Sequence, residues 1–299
     1  MSNWNFFRLR MNINPTSTPA AWSMEDITSG TSANITSLIN GSSTPGQVQP
    51  MVDPSGTRVY VPEFSNKKVR QLSLSSANDL TSTISNVGVS SALSYNFNHF
   101  QMSRNGNSAY MIDYFGNEIN QYNLSTAWDI TTMSTTAASS ISYSIPSGNW
   151  VERGFHFNTD GTEVYHMLRS YSSTPFAVKV QKYVLSTAYD LSTAATVDVI
   201  DVTTSYDPQG DGGNANNIMI IDDSSQIPYY LIFGGSGLDA AAYTNSVSNA
   251  NVYENSVDYP VTANTFHSCN DNNNGYYTER SGASPNYTWT LYQYNTNIT

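Results

Sequence analysis

The chain repeats one phrase of ten residues three times. The phrase reads QYNLSTAWDI at Gln121–Ile130, KYVLSTAYDL at Lys182–Leu191 and QLSLSSANDL at Gln71–Leu80. A catalytic motif is needed once in a chain, whereas a structural unit that buries its apolar face against its neighbours is repeated along it. The repeat therefore predicts architecture more strongly than it predicts chemistry.

A second phrase of eleven residues has an apolar start, turn-forming residues in the middle and a closing tyrosine. Two apolar stretches around Asp, Asn, Ser, Gly or Pro are typical of a β-hairpin. Each copy therefore predicts the first two strands of a repeated unit. The five copies are PMVDPSGTRVY (Pro50–Tyr60), FQMSRNGNSAY (Phe100–Tyr110), FHFNTDGTEVY (Phe155–Tyr165), MIIDDSSQIPY (Met219–Tyr229) and FHSCNDNNNGY (Phe266–Tyr276).

The ten-residue phrase is interpreted as the connection between a third and a fourth strand. The third strand should end near Tyr122 and Tyr183, and the fourth should include Ser139–Ile145 or Ala195–Val202. One aspartate in each connection is expected to accept backbone N–H bonds that would otherwise be unpaired. These aspartates are Asp79, Asp129 and Asp190.

Four short strands with their turns need roughly 40 to 50 residues, the size of one β-propeller blade. We therefore predict an all-β chain, a β-propeller of five four-stranded blades that start near residues 50, 100, 155, 219 and 266. In the fourth unit, residues 206–262, the ten-residue phrase is absent, so its strand boundaries are left open.

The last unit has room for one more strand, Trp289–Asn295, before the sequence ends at Thr299. The N-terminal segment near residues 20–40 is expected to complete it, with Ser32–Ile39 as the outer strand. Such closure leaves few free strand edges. The predicted domains are residues 1–15, an N-terminal arm or extra strand, and residues 16–299, a single propeller.

Composition excludes several partners. The net charge is −11 and the pI is about 4.5, so the surface repels phosphate and nucleic-acid binding is not expected. Neither a signal peptide nor an apolar membrane span is found in the sequence, and no membrane insertion is predicted. The one cysteine, Cys269, allows no internal disulfide and is interpreted as a small buried side chain.

The candidate glycan-binding residues lie in the stretch NWVERGF. An aromatic, an acidic and a basic side chain, Trp150, Glu152 and Arg153, can hold a sugar at a blade entrance. The alternative is a salt bridge at the rim. Asp53 and Asp222 share one slot in the hairpin phrase with Ser and Asn, which favours turn capping over catalysis. No catalytic residue is predicted, because the common hydrolase and metalloprotease motifs are absent from the sequence.

Metal and cofactor sites are weakly indicated. His156 and His267 occupy the same place in two copies of the hairpin phrase and could face a common channel. Asp207–Asn214 and Asp271–Gly275 carry oxygen ligands and glycine, but they lack the full calcium-loop pattern. Plain structural roles explain these residues better, so neither a metal nor a cofactor is predicted.

The pairing of DGTxxY with IxQYxLSTAWDI resembles a β-propeller repeat family of bacteriophage virion and tail-associated proteins and of bacterial surface proteins. The resemblance covers about residues 50–205 well. It implies a non-enzymatic virion protein, in a tail fibre, a tail tip or the head surface, which is exposed outside the host after lysis. Its partners would be other virion proteins, a host-surface glycan, or further copies of itself.

Two other functions stay open. One is a bacterial lectin-like adhesion module, and the other is a polysaccharide hydrolase or lyase. The hydrolase or lyase hypothesis predicts turnover of a polysaccharide, and this turnover should be lost when Glu152 or Asp53 is replaced.

Overall fold

The structure is a computed structural model. It describes residues 28–39, 50–113, 115–146, 150–158, 160–170, 178–201, 217–222, 229–233, 239–244, 252–256, 266–271, 274–283 and 286–295. The predicted N-terminal arm, residues 1–15, lies outside these ranges. Among the residues described, no helix has the length and apolar character that a membrane span needs.

The described residues form four-stranded antiparallel sheets, which confirms the prediction of an all-β chain. Sheet 1 contains, in order, β2 (Met51–Val52), β3 (Arg58–Glu63), β4 (Lys68–Leu74) and β5 (Ile84–Val89). Sheet 2 contains β6 (Phe97–Met102), β7 (Ser108–Asp113), β8 (Glu118–Asn123) and β9 (Ser139–Ser142). Sheet 3 contains β10 (Trp150–Phe157), β11 (Glu163–Ser170), β12 (Val178–Leu185) and β13 (Ala194–Asp201).

The second half of the chain continues the pattern. Sheet 4 contains β14 (Asn217–Asp222), β15 (Tyr229–Phe233), β16 (Asp239–Thr244) and β17 (Val252–Ser256). The fourth unit therefore has four strands although it lacks the ten-residue phrase. Sheet 5 contains β18 (Phe266–Asp271), β19 (Asn274–Ala283), β20 (Asn286–Asn295) and, as its outer strand, β1 (Thr28–Asn34). The N-terminal segment thus supplies the last strand of sheet 5.

The core lies between neighbouring sheets. Alternate residues of a strand point to opposite faces, and sheets 1 and 2 each contribute apolar side chains to two interfaces among the described residues. The interface of sheets 1 and 2 buries Leu93, Phe97, Phe100, Met111 and Tyr122, among others. The interface of sheets 2 and 3 buries Tyr110, Ile112, Phe155, Phe157, Val164 and Leu168. A third cluster joins Ile35, Trp289 and Leu291 of the sheet 5 unit to Val52, Val59 and Leu72 of sheet 1.

The ten-residue phrase is a turn that packs on the hairpin glycine of its own sheet. Trp128 has a positive φ of 63°, and its backbone N–H donates to the carbonyl of Gly106 at 3.0 Å. A Cβ placed on Gly106 would lie 2.4 Å from the Trp128 ring, so no side chain fits there. Tyr189 lies over Gly161 in the same way. The hairpin glycine and the turn aromatic are therefore one packing unit.

The aspartates of the turns have the predicted role. Asp129 caps a short 3₁₀ turn, because its carboxylate accepts from the backbone N–H of Thr131 at 3.0 Å. Asp190 and Asp79 accept the equivalent bonds from Ser192 and Thr81. These bonds confirm the predicted capping.

Two polar side chains tie each turn to the preceding sheet. The hydroxyl of Tyr60 in sheet 1 donates to the carbonyl of Trp128 in sheet 2 at 2.8 Å. The side-chain oxygen of Gln71 accepts from the backbone N–H of Ile130 at 3.0 Å. We call this pair of bonds the inter-sheet tie. It recurs between sheets 2 and 3, where Tyr110 donates to the carbonyl of Tyr189 at 2.5 Å and Gln121 accepts from the N–H of Leu191 at 2.9 Å.

Sheet 3 departs from this pattern, and the sequence of sheet 4 explains why. Lys182 stands at the glutamine position of the phrase, and the sequence of the fourth unit lacks the ten-residue phrase that the tie binds in units 2 and 3. The Tyr165 hydroxyl donates instead to Glu163 at 2.5 Å, and the Lys182 ammonium pairs with the same carboxylate. The polar groups of the tie are thus satisfied within sheet 3.

Replacing Gln121 by leucine should destabilise the fold by about 1–3 kcal/mol, because the buried N–H of Leu191 loses its acceptor. Urea unfolding followed by tryptophan fluorescence measures the change. Asn123, an exposed residue two positions along the same strand, provides the control variant Asn123→Leu. Equal effects of the two substitutions would contradict a stabilising tie.

Candidate functional site

The candidate glycan-binding residues lie at the start of β10. Trp150 is paired in register with Ser170 and Glu152 with Leu168, so both side chains are on the face of sheet 3 that packs on sheet 2. Trp150 is half-buried, whereas Glu152 is only 4% exposed. The side chain of Arg153 lies outside the described part of the structure. The glycan-binding role of these three residues stays a prediction.

The repeat itself shows that Glu152 is unusual. Aligning Phe155 with Phe100 places Glu152 at the position of Phe97. The ladders agree, because Phe97 pairs with Asp113 ahead of a register shift just as Glu152 pairs with Leu168. A buried carboxyl therefore replaces a buried phenyl ring.

Two further replacements occur at the same interface. His166 corresponds to Met111, since the two residues pair with Phe155 and Phe100 respectively. Tyr143 corresponds to Leu93, because each donates its backbone N–H to the left-handed residue of the preceding turn, Asn117 or Lys67. All six side chains are buried. The interface of sheets 1 and 2 thus uses Leu93, Phe97 and Met111 where that of sheets 2 and 3 uses Tyr143, Glu152 and His166, which we call the polar cluster.

The members of the polar cluster are close together. The His166 ring lies 4.1 Å from the Tyr143 ring between centroids, at an interplanar angle of 47°. Nδ1 of His166 lies 3.4 Å from the side-chain oxygen of Gln181, which also accepts from the Tyr183 hydroxyl at 3.0 Å. Nε2 of His166 is buried and has no hydrogen-bond partner among the described residues. A buried polar nitrogen without a compensating hydrogen bond is uncommon and calls for an explanation.

Burial and charge set the protonation states of the cluster. Burial lowers the pKa of His166 to about 4, so its imidazole is neutral at pH 7. Burial, followed by the negative charges of Glu152 and Asp113, raises the pKa of the Tyr143 hydroxyl well above its usual range. The tyrosine therefore keeps its proton at neutral pH and can donate it.

A cation lies at the outer edge of the polar cluster. Lys179 of β12 is paired in register with Leu168, which places it in the same row as Glu152. Its ammonium is 5.1 Å from the centroid of the Trp150 ring, a cation–π distance. An aromatic ring, a cation and a buried carboxyl therefore share one end of sheet 3.

The polar cluster provides the groups that acid–base chemistry needs. A neutral tyrosine donates a proton, a carboxylate accepts one, and an imidazole nitrogen in a buried setting forms a hydrogen bond to a substrate. The apolar neighbours Phe155 and Leu168 lower the local dielectric, which strengthens each of these interactions.

The histidine position proposed for a channel has another role in two sheets. Met51 and Gln101 occupy the place of His156, and the side chain of each reaches the first strand of the next sheet. Sδ of Met51 accepts from the N–H of Met102 at 3.2 Å, and Oε1 of Gln101 accepts from the N–H of Phe157 at 3.1 Å. The structure describes no side chain for His267, and its described residues contain no cluster of three metal-ligating side chains.

The remaining candidates have structural or undescribed surroundings. The Asp53 carboxylate accepts from the backbone N–H groups of Thr57 and Arg58 at 3.0 and 2.9 Å, which confirms the predicted turn capping. The side chain of Asp222 and the loop Asp207–Asn214 lie outside the described residues. Of Asp271–Gly275, the backbone of Asp271 and Asn274 pairs in the hairpin of β18 and β19.

Sequence reasoning did not identify Tyr143, His166 or Lys179 as site residues. The signal was present for His166, because it lies one residue after the closing tyrosine where Met111 stands in the second copy. Tyr143 could be found only through the backbone bond to Asn117, since the connection before β10 differs in length from that before β6.

Comparison with known proteins gives fold relatives and no close one. No protein-family model matches the sequence, and no curated protein matches it. A solved protein of Bacteroides uniformis, with a proposed 6-phosphogluconolactonase activity, is 15% identical over 71% of this chain and 55% of its own, with a TM-score of 0.44. The periplasmic gluconolactonase of Pseudomonas aeruginosa is 12% identical over 80% and 67%, with a TM-score of 0.43. A luciferin-regenerating enzyme is 10% identical over 83% and 90%, with a TM-score of 0.39.

These names correct two sequence-based predictions. The relatives just described are enzymes by name, so the predictions of a phage virion protein and of a chain without enzymatic activity are wrong. At 10–15% identity the likeness concerns the fold, and the reaction has to be derived from this chain's own side chains. The chain also spans little more than half the length of the Bacteroides protein.

Proposed function

We propose that this protein is a hydrolase that acts on a carbohydrate at the polar cluster. The observation that carries the proposal is the replacement of Leu93, Phe97 and Met111 by three buried titratable groups at the equivalent interface. A buried polar group costs free energy unless it is compensated, and the apolar trio shows that the fold does not require it. Strained or costly features of this kind concentrate at functional sites.

Glu152 and Tyr143 each have a role in the proposed hydrolysis. Glu152 takes a proton from a water molecule while the water oxygen bonds to the electrophilic carbon of the substrate. The bond from that carbon to the leaving oxygen breaks, and this oxygen takes the proton of the Tyr143 hydroxyl. Glu152 then returns its proton to Tyr143, so that the sum is the addition of one water molecule.

The raised pKa of Tyr143 keeps its hydroxyl protonated at neutral pH, so the group holds the proton that the leaving oxygen takes. His166, neutral at pH 7, uses its free Nε2 to hold a substrate hydroxyl. Trp150, on the same face as Glu152, offers an aromatic surface on which a sugar ring stacks. That surface is the reason for proposing a carbohydrate substrate.

Replacing Glu152 by glutamine is expected to reduce kcat about a thousandfold, because general acid–base groups contribute typically 10² to 10⁴. The assay measures the release of reducing ends from a panel of purified polysaccharides. Glu118→Gln is the matched control, since Glu118 lies in sheet 2 and accepts from Ser142 at an exposed position. Unchanged turnover in Glu152→Gln would contradict the assignment.

A second variant tests the site without relying on one residue. The triple variant Tyr143→Leu, Glu152→Phe and His166→Met copies the interface of sheets 1 and 2 into that of sheets 2 and 3. We expect it to fold, with unfolding at the same or a higher urea concentration, and to lack turnover. A triple variant that retains activity, or a wild-type protein that hydrolyses no polysaccharide in the panel, would overturn the proposal.

We also propose that the five sheets close into a five-bladed propeller. Support comes from contacts between β2 and β18, the first strands of sheets 1 and 5, and from the core cluster that joins these sheets. Gln293 has the sequence position of Gln71 and Gln121 and is buried. In the closed ring its side chain would accept from the backbone N–H of Leu80 and repeat the inter-sheet tie.

A further inference from the structure

The cation beside Trp150 bears on which carbohydrate the proposed site accepts. The chain has 12 lysines and arginines against 23 acidic residues, so a basic group beside a candidate site is uncommon here. Lys179 is half-buried, and the Trp150 ring is the partner that the structure gives its ammonium. Its neighbours in the ladder are Leu168 and Asp201.

Other lysines of the described region have different partners. Lys182, three positions along the same strand, pairs with the carboxylate of Glu163 and points to the opposite face. Lys67 donates to the carbonyl of Ser94 at 3.0 Å. Lys179 differs from both, because its ammonium lies over an aromatic ring in the row that contains Glu152. A ring satisfies only part of the bonding capacity of an ammonium, which has three donors.

A neutral sugar does not need a cation at this position. A sugar carboxylate does, since the negative charge of Glu152 would otherwise repel it. A sugar ring that stacks on the exposed part of the half-buried Trp150 indole would place its substituents near the ammonium of Lys179, which lies over the same ring. Charge-assisted hydrogen bonds of this kind are about twice as strong as neutral ones.

We propose that the site binds a uronic acid residue of an acidic polysaccharide, with Lys179 pairing with the sugar carboxylate and Trp150 stacking on the sugar ring. This inference rests on the proposed hydrolase function for its reaction, but the binding step stands by itself. Lys179 is thus a specificity-determining residue, and Glu152 remains the proton-transferring group.

The test compares matched substrates. Binding of oligogalacturonate, and of the same oligomer after reduction of its carboxyl groups to alcohols, is followed through tryptophan fluorescence and calorimetry at 0.15 M salt, where long-range repulsion from the net charge is screened. We expect the wild type to bind the acidic oligomer about tenfold or more tightly than the reduced one. Lys179→Met should abolish this difference, and Lys179→Arg should restore most of it.

Lys182→Met is the control on the same strand, and its ratio of affinities should equal that of the wild type. Turnover is measured separately on both oligomers. Binding of the acidic oligomer without turnover would refute the hydrolase and leave the uronate site standing. Two results would overturn the uronate site and leave the hydrolase. One is hydrolysis of neutral polysaccharides by a protein that binds the acidic and the reduced oligomer with equal affinity. The other is an equal loss of affinity for both oligomers in Lys179→Met.

Discussion

Replacing Ile35 by aspartate is expected to lower the free energy of unfolding by about 5 kcal/mol or more, and thereby to open the fold at sheet 5. Ile35 directly follows β1, is fully buried and packs among Val59, Trp289 and Leu291. Removing such a side chain costs about 2–5 kcal/mol, and burying a charge in its place adds to the loss. Its backbone N–H donates to the carbonyl of Trp289 at 2.9 Å, so the site joins the two ends of the described chain.

The measurement is urea unfolding, with limited proteolysis as a second readout of strand release. Ser37→Asp is the control, because Ser37 lies two residues along the same segment and is exposed. Comparable unfolding midpoints for Ile35→Asp and Ser37→Asp would show that the N-terminal segment does not hold the fold together.

Lowering the pH from 6.5 to 4 is expected to destabilise the protein by about 5 kcal/mol through two buried histidines, a contribution of about 2.5 kcal/mol each. Burial lowers the pKa of both His156 and His166 from 6.5 to about 4. Between these values the unfolded chain binds protons that the folded chain does not, so stability falls as the pH decreases. About one pH unit or more above 6.5 both states carry neutral imidazoles, and this contribution is constant.

Residues at equivalent positions of another unit can replace the two histidines in a test. The double variant His156→Gln and His166→Met installs the residues found at the equivalent positions, Gln101 and Met111. Its unfolding free energy should stay nearly level between pH 6.5 and 4, whereas that of the wild type decreases. Asp79 and Asp160, whose carboxyl pKa values are lowered mainly by threonine hydroxyls, act at lower pH and leave this window clear. A slope that survives in the double variant would contradict the assignment to these histidines.

The fold was predictable where turn-forming residues recur at fixed positions in the sequence. The Trp128 ring packs where a side chain at Gly106 would lie, so the aromatic turn residue requires the hairpin glycine. The hairpin phrase and the ten-residue phrase accordingly appear together in the first three units. Sheet 4 forms its four strands although its sequence lacks the ten-residue phrase, because backbone pairing in a ladder does not depend on that phrase. Outer strands were placed less accurately, and β1 begins at Thr28 rather than Ser32.

The candidate site was only partly predictable, for a physical reason. Trp150 and Glu152 are neighbours in sequence, and alternation along a strand places them on one face. His166 and Lys179 meet Glu152 only after three strands of sheet 3 have paired, and Tyr143 joins them only after sheets 2 and 3 have packed. No local spacing contains that information. Comparison of equivalent positions in the repeated units does contain part of that information. A titratable residue where another unit has an apolar one shows that packing alone does not require the titratable residue.

The inter-sheet tie has an evolutionary consequence. Unit 2 carries a tyrosine and a glutamine that bind the following unit, together with the backbone groups that accept or donate the same bonds from the preceding one. A duplicated gene segment of one unit would therefore arrive with a compatible interface on both sides, and no second mutation would be needed for it to dock. The unit can be copied as a whole, and the new copy is then free to replace its apolar interface residues with reactive ones.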